Sequence, residues 1–198
     1  MLRLIHSPQS RSSRIIWLLE ELGAPYEVEY VTIKRADGSG ASDPSNPHPD
    51  KKVPAIVHDG EVVTESAAIV LYLTDLFPEA GLGPLPGEPG RAAYLSWLAY
   101  YAGVAEPVMA FEVAKLGDHP MLRGTFRGLE EMNRRLVETL GKSPYLLGET
   151  FSGVDILFAS IGQGARMMLP DGEVIDSYLE RCQDRPALAR ALSKDAPG

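Results

Sequence analysis

The sequence predicts an α/β unit of about eighty residues followed by an all-helical one, an α/β plus all-α chain. Three observations predict it. Over residues 1–78 the apolar spacing switches between strand and helix period, giving strand, helix, strand, loop, hairpin, helix. Residues 79–90 are crowded with proline and glycine, which punctuate structure and mark a linker. Beyond residue 91 every apolar pattern has helical spacing. The expected division is therefore 1–78, a linker at 79–90, and a helical domain at 91–198.

Arg3 to His6 form the first strand, and the polar stretch from Ser7 to Ser12 turns the chain. From Ser13 to Leu22, residues Ile15, Ile16, Leu18, Leu19 and Leu22 recur at helical spacing, with Gly23 and Pro25 as stop signals. Tyr26 to Val31 alternate apolar with acidic residues, as a half-buried strand does. A long polar connection follows, of the kind that is usually functional or mobile. Val53–Val57 and Glu61–Val63 flank His58-Asp59-Gly60, and Asp-Gly between two strands signals a hairpin. Thr64 is a suitable N-cap for a helix running to about Phe77. In the second half one long helix is expected from Arg91 to Leu116, kinked at Pro107. Others are expected over 125–140, 156–168, 174–182 and 186–192.

Composition removes several functions. The net charge of −8 and pI near 5 disfavour a nucleic-acid surface. No apolar run approaches the ~20 residues needed to span a bilayer. Met1-Leu2-Arg3-Leu4-Ile5 is too short an apolar stretch for a signal peptide, so a cytoplasmic location is expected. A single cysteine, Cys182, excludes an internal disulfide and a cysteine-based zinc site, and the four histidines show no ligand spacing.

The segment Lys52-Val53-Pro54-Ala55-Ile56-Val57, with Glu65-Ser66 shortly after it, carries the chemistry. Pro54 cannot donate to a sheet ladder, so it belongs at a bend or a functional edge. Glu65 and Ser66 open an apolar helix, where backbone N–H groups favour an anion. A strand edge that pairs with peptide, beside a helix start that holds carboxylate, suits a small acidic peptide. The plainer alternative is an edge-strand proline and a good helix beginning.

These residues resemble the cytosolic glutathione S-transferases, over nearly the whole chain. Ser7-Pro8-Gln9-Ser10-Arg11-Ser12-Ser13-Arg14, leading to Trp17-Leu18-Leu19-Glu20-Glu21-Leu22-Gly23, is similar to the first turn and helix of bacterial and fungal serine-type members. Val53-Pro54 resembles the family's cis-proline step, Glu65-Ser66 its glutamate-serine pair, and Trp97-Leu98-Ala99-Tyr100 its long first helix of the second domain. Ser152-Gly153-Val154-Asp155 resembles its buried capping box, a structural device.

The resemblance implies a thioredoxin-like N-terminal domain, a C-terminal helical bundle, and a homodimer. It implies glutathione as co-substrate and no metal. The glutathione thiol, with a pKa of about 8.5, needs its thiolate stabilised. That role falls on Ser10, with Ser12 as the alternative and Ser7 and Ser13 behind them, while Arg11 adds positive charge. The resemblance further has Val53, ahead of a cis Pro54, pair its backbone with the cysteinyl residue. Glu65 takes the γ-glutamyl ammonium and Ser66 its carboxylate. Lys52 meets the glycyl carboxylate, with Lys51 and His48 as alternatives, because Asn46-Pro47-His48-Pro49-Asp50-Lys51-Lys52 departs from the family pattern. Tyr100, Tyr101, Met109, Phe111, Met167 and Met168 are candidates for a hydrophobic electrophile pocket or for core. The implied activity is transfer of glutathione to small hydrophobic electrophiles. Peroxide reduction with glutathione, or a non-catalytic binding or scaffold role, are the alternatives.

Overall fold

The computed structural model describes residues 1–196 and divides the chain into two compact units. The first holds Met1–Ala80 together with the C-terminal segment from Arg185, and the second holds Gly81–Asp184.

In the first unit, β1 (Leu2–His6), α1 (Ser13–Leu22), β2 (Glu27–Tyr30), β3 (Ala55–His58), β4 (Glu61–Thr64) and α2 (Ser66–Leu76) follow in order. The sheet order is β2-β1-β3-β4, with β1 and β2 parallel and the remaining pairs antiparallel, a thioredoxin-like arrangement. Leu4 and Ile5 point to opposite faces of β1 and both are fully buried, so β1 is central and covered on both sides. Helix α1 ends where Gly23 takes a left-handed φ of 62° and Ala24 N–H reaches back to Leu19 O at 3.2 Å. That closure leaves the helix at the residue the sequence marks as its stop. Helix α2 begins one residue later than expected: Thr64 completes β4, and Glu65 occupies the N-cap position.

A last helix, α9 (Pro186–Ser193), packs on α1. The expected boundary, which placed it in the helical domain, is therefore displaced. Charge explains the docking. Arg185 clasps Glu21 through two bonds of 2.6 and 2.7 Å, and Trp17 Nε1–H donates to the same carboxylate at 3.0 Å. Glu20, buried although charged, accepts from Tyr26, Arg190 and Lys194. Burial pushes the Glu20 carboxyl upward, but the bonds from Lys194, Tyr26 and Arg190 outweigh it and hold the group below the usual carboxylate range. The ionised form thus contributes stability above about pH 4.3, and that contribution is lost as pH falls through the lower folded value. Glu20→Gln is expected to cost about 1–3 kcal/mol at neutral pH and to flatten the acid limb of a urea-monitored stability profile. An unchanged acid limb would remove Glu20 from this account.

In the second unit, α3 (Arg91–Tyr100) and α4 (Glu106–Val113) are joined by one π-helical turn, Tyr101–Ala105. Pro107 has no N–H to donate, and just before it Glu106 N–H bonds back five residues to Tyr101 O. The expected kinked helix to Leu116 thus becomes two helices in different register, the second ending at Val113. Helices α5 (Pro120–Phe126) and α6 (Leu129–Leu140) replace a single helix expected over 125–140. Positive φ at Arg127 and Gly128 breaks the chain there. Helix α7 (Gly153–Gly164) and α8 (Glu173–Gln183) cross closely at Gly162, where any Cβ would sit 2.8 Å from Leu179 Cδ2. A short 3₁₀ turn, Arg166–Met168, follows α7, which the sequence suggested would run on through it. Phe158 on α7 meets Trp97 and Tyr101 edge to face at 5.4 and 5.1 Å. Leu82, in the expected linker, is buried and its carbonyl accepts from Gly153 N–H at 2.8 Å, so this part of the linker belongs to the helical unit.

The Asp155 carboxylate is the polar centre of this unit. It accepts from Ser152 N–H and hydroxyl at 2.8 and 2.9 Å, from Leu146 N–H at 3.0 Å and from Tyr178 O–H at 3.2 Å. Asp155 and Ser152 are both buried. Cys182 is buried in α8.

Candidate functional site

The sheet register assembles the site. Ile5 pairs with Ala55, and Ala55 with Thr64, at one end of the sheet. The chain therefore leaves β1 into the Ser7–Ser12 turn, enters β3 through Val53-Pro54, and leaves β4 into Glu65-Ser66, all at that same end. These segments are far apart in sequence and adjacent in the fold.

The turn after β1 is a cluster of hydroxyls. Ser10 Oγ is half-buried, donates to Ser7 O at 2.7 Å, stands 2.7 Å from Ser12 Oγ, and accepts Ser12 N–H at 3.2 Å. Ser12 is fully buried, its Oγ 2.8 Å from His6 Nδ1 and accepting Ser7 N–H at 3.2 Å. Ser13 Oγ accepts Ser10 N–H at 3.3 Å, and Ser7 is buried. Of the two leading serines, Ser10 is the one open to an incoming ligand, while Ser12 lies beneath it. Arg11 is exposed at the turn.

Arg35, from the long connection, grips this turn: its guanidinium donates to Pro8 O at 2.7 Å and to Gln9 O at 3.2 Å. Asp195, from the C-terminal segment, accepts Gln9 N–H at 3.0 Å through Oδ2. Neither Arg35 nor Asp195 stood out in the sequence, because each is an ordinary charged residue in a polar stretch. Only folding brings them to residue 9.

The Val53-Pro54 bond is cis, with Pro54 buried and Val53 half-buried. Ladder pairing begins at Ala55, so Val53 stands just outside it. The approach to Val53 is held by Asn46, fully buried, which donates to Lys52 O at 3.0 Å and accepts His48 N–H at 2.9 Å. Lys51 directs its ammonium to Asn46 O at 2.6 Å, and His48 is buried with Nδ1 accepting Asp50 N–H. Lys52 is exposed. Both alternatives to Lys52 are thus engaged in shaping the loop.

Glu65 is exposed and holds φ 66°, ψ 119°, a conformation rare for a residue with a side chain. Such strain costs on the order of 1–3 kcal/mol and concentrates where ligands are held. Ser66 is buried at the first turn of α2, whose N–H groups point outward from the helix start.

A four-stranded thioredoxin-like sheet with a cis-proline, a glutamate-serine helix start and a hydroxyl-rich first turn, continued by an all-helical unit, defines the glutathione transferase class. Residues 7–76 match the family model described as the glutathione S-transferase N-terminal domain. Glutathione S-transferase 3 of Schizosaccharomyces pombe is 34% identical over 161 residues, covering 79% of this chain and 62% of that one. A glutathione transferase structure from Methylococcus capsulatus is 30% identical with a TM-score of 0.74, and 98% of each chain is covered. A sphingomonad glutathione S-transferase, solved in complex with glutathione, is 26% identical with a TM-score of 0.77 and the same coverage. The chain belongs to the glutathione S-transferase family.

Proposed function

We propose that this transferase binds glutathione along the sheet end described above and directs its thiolate at a small hydrophobic electrophile. The convergence of Ser10, Val53-Pro54 and Glu65-Ser66 through the Ile5–Ala55–Thr64 register supports this most strongly. Glutathione carries an ammonium and a carboxylate at its γ-glutamyl end. Glu65 pairs with the first, and Ser66 at the α2 N-terminus receives the second. Val53 adds its backbone to the cysteinyl residue as one rung of strand pairing. Exposed Lys52 meets the glycyl carboxylate. This leaves the sulfur at the first turn, where Ser10 donates to it.

Calorimetric titration with glutathione, followed by turnover with an aryl halide and with an organic peroxide, tests the reading. Binding with aryl halide turnover is expected. Binding with peroxide turnover alone would replace transfer by reduction, and absence of binding would defeat the reading altogether.

Glu65 offers a sharper test. Glu65→Gly relieves the left-handed backbone at the small entropic cost of a glycine in the unfolded chain. We expect the melting temperature to hold or rise while glutathione affinity falls at least tenfold, as loss of a charged hydrogen bond predicts (about 1.5–3 kcal/mol). A variant that is destabilised yet binds normally would show that Glu65 serves the fold rather than the ligand.

A further inference from the structure

We propose that His6 receives the proton of the glutathione thiol through a two-hydroxyl chain, Ser10 then Ser12, with Asp195 positioning the imidazole from the C-terminal segment. The inference rests on the glutathione reading above and adds a destination for the proton that thiolate formation releases.

The hydrogen-bond pattern sets the direction of the chain. His6 Nε2 lies 2.9 Å from Asp195 O and 3.6 Å from Asp195 Oδ1. Both are acceptors, so Nε2 carries the hydrogen. In the neutral ring Nδ1 then bears a lone pair, and the group facing it at 2.8 Å is the Ser12 hydroxyl, which must donate. Ser12 Oγ is left as an acceptor, and the Ser10 hydroxyl has two acceptors at 2.7 Å: Ser7 O, to which it donates at rest, and Ser12 Oγ, to which the relay turns it. Ser10 is the half-buried member of the chain, so a thiol arriving at the turn donates to Ser10 Oγ. With the Ser10 hydroxyl turned from Ser7 O to Ser12 Oγ, every proton points inward, from sulfur to imidazole.

Three protons move one step each. The thiol S–H bond breaks and its proton joins Ser10 Oγ. The Ser10 proton passes to Ser12 Oγ, and the Ser12 proton to His6 Nδ1. No atom is gained or lost, and the products are a thiolate and an imidazolium. The chain has reversed: His6 Nδ1–H now donates to Ser12, Ser12 to Ser10, and Ser10 to the thiolate. The same shift that carries the proton away thus turns the Ser10 hydroxyl toward the charge it must stabilise.

The surroundings fit this part. His6 is fully buried, and burial pushes its imidazole down, so the ring rests neutral; the Asp195 carbonyl and carboxylate, together with the thiolate formed at the turn, are what favour its protonated form. The Tyr30 ring meets His6 edge to face at 5.5 Å, and the Tyr30 hydroxyl donates to Lys194 O and Ala196 O, fixing the segment that carries Asp195. Arg35 holds the turn through Pro8 O and also reaches Ser7 Oγ. Asp195 is the counter-charge nearest the imidazolium once it forms.

Nitrogen NMR of the histidine-labelled protein tests the inference, with His6 identified by its through-space contact to the Tyr30 ring. Glutathione is expected to shift His6 Nδ1 from an unprotonated to a protonated signal, leaving Nε2 protonated throughout. S-methylglutathione, which has no thiol proton, is expected to bind without that shift. A bound thiolate, seen by its ultraviolet band, beside an unprotonated Nδ1 would overturn the relay while leaving the Ser10 reading intact. Absence of glutathione binding would instead strike the preceding proposal. Because replacing the buried histidine risks the fold, the companion variant is Asp195→Asn, which keeps an oxygen for Gln9 N–H. About a tenfold loss in kcat with KM for glutathione unchanged is expected, and an unaltered kcat would overturn the role of Asp195.

Discussion

Ser10→Ala is expected to lower kcat/KM for an aryl halide about a hundredfold, with glutathione affinity within about threefold of the parent. The magnitude follows from the thiol. Bringing a pKa of about 8.5 down by about two units takes about 2.7 kcal/mol of preferential thiolate stabilisation, and each 1.36 kcal/mol is a factor of ten. Of the two leading serines, the half-buried Ser10 is favoured as the donor, since Ser12 is fully buried with its hydroxyl 2.8 Å from His6 Nδ1. Alanine leaves the turn its Arg35 clasp and the Gln9–Asp195 bond, so the fold should survive. The diagnostic measurement is the ultraviolet thiolate band of bound glutathione as pH is raised: it should appear about two units later in the variant. A variant with normal turnover would transfer the role to another residue and remove the outer member of the His6 chain.

Asp155→Ala is expected to destabilise the protein by about 3–5 kcal/mol, read as a lowered urea midpoint and a melting temperature reduced by roughly 10 °C. The reason is what the carboxylate leaves behind. The Ser152 and Leu146 N–H groups and the Tyr178 hydroxyl would all face a methyl group in a place water does not reach. Each unsatisfied buried donor costs about 1–3 kcal/mol, partly recovered by relaxation. Asp155→Asn, which keeps one acceptor oxygen, should lose about half as much. Asp155 lies in the helical unit, whereas the residues proposed to contact glutathione lie in the thioredoxin-like one, so glutathione affinity of the folded protein should be unaltered. Loss of affinity without loss of stability would contradict a structural role.

Much of this was legible in the residues before folding. Helix α1 begins and ends at the positions its apolar spacing and Gly23 indicate, because periodicity and a left-handed stop are local properties. The hairpin at Asp59-Gly60 and the Glu65-Ser66 helix start were visible for the same reason: each is a short chemical pattern. Breaks inside helices were harder. The π-helical turn before Pro107 and the reversal at Arg127-Gly128 depend on how neighbouring turns settle, and apolar spacing runs straight through both.

Sequence by itself therefore determined the family, the order of elements and the short motifs proposed to meet glutathione, since those depend on neighbours a few positions apart. Folding alone decided that Ser12 lies buried beneath Ser10, that Arg35 and Asp195 clasp residues 8 and 9, and that the last helix returns to α1. Those outcomes turn on burial and on contacts across as many as 189 positions. A linear pattern carries no signal at that range, because a buried serine and an exposed one are the same letter until the chain closes around them.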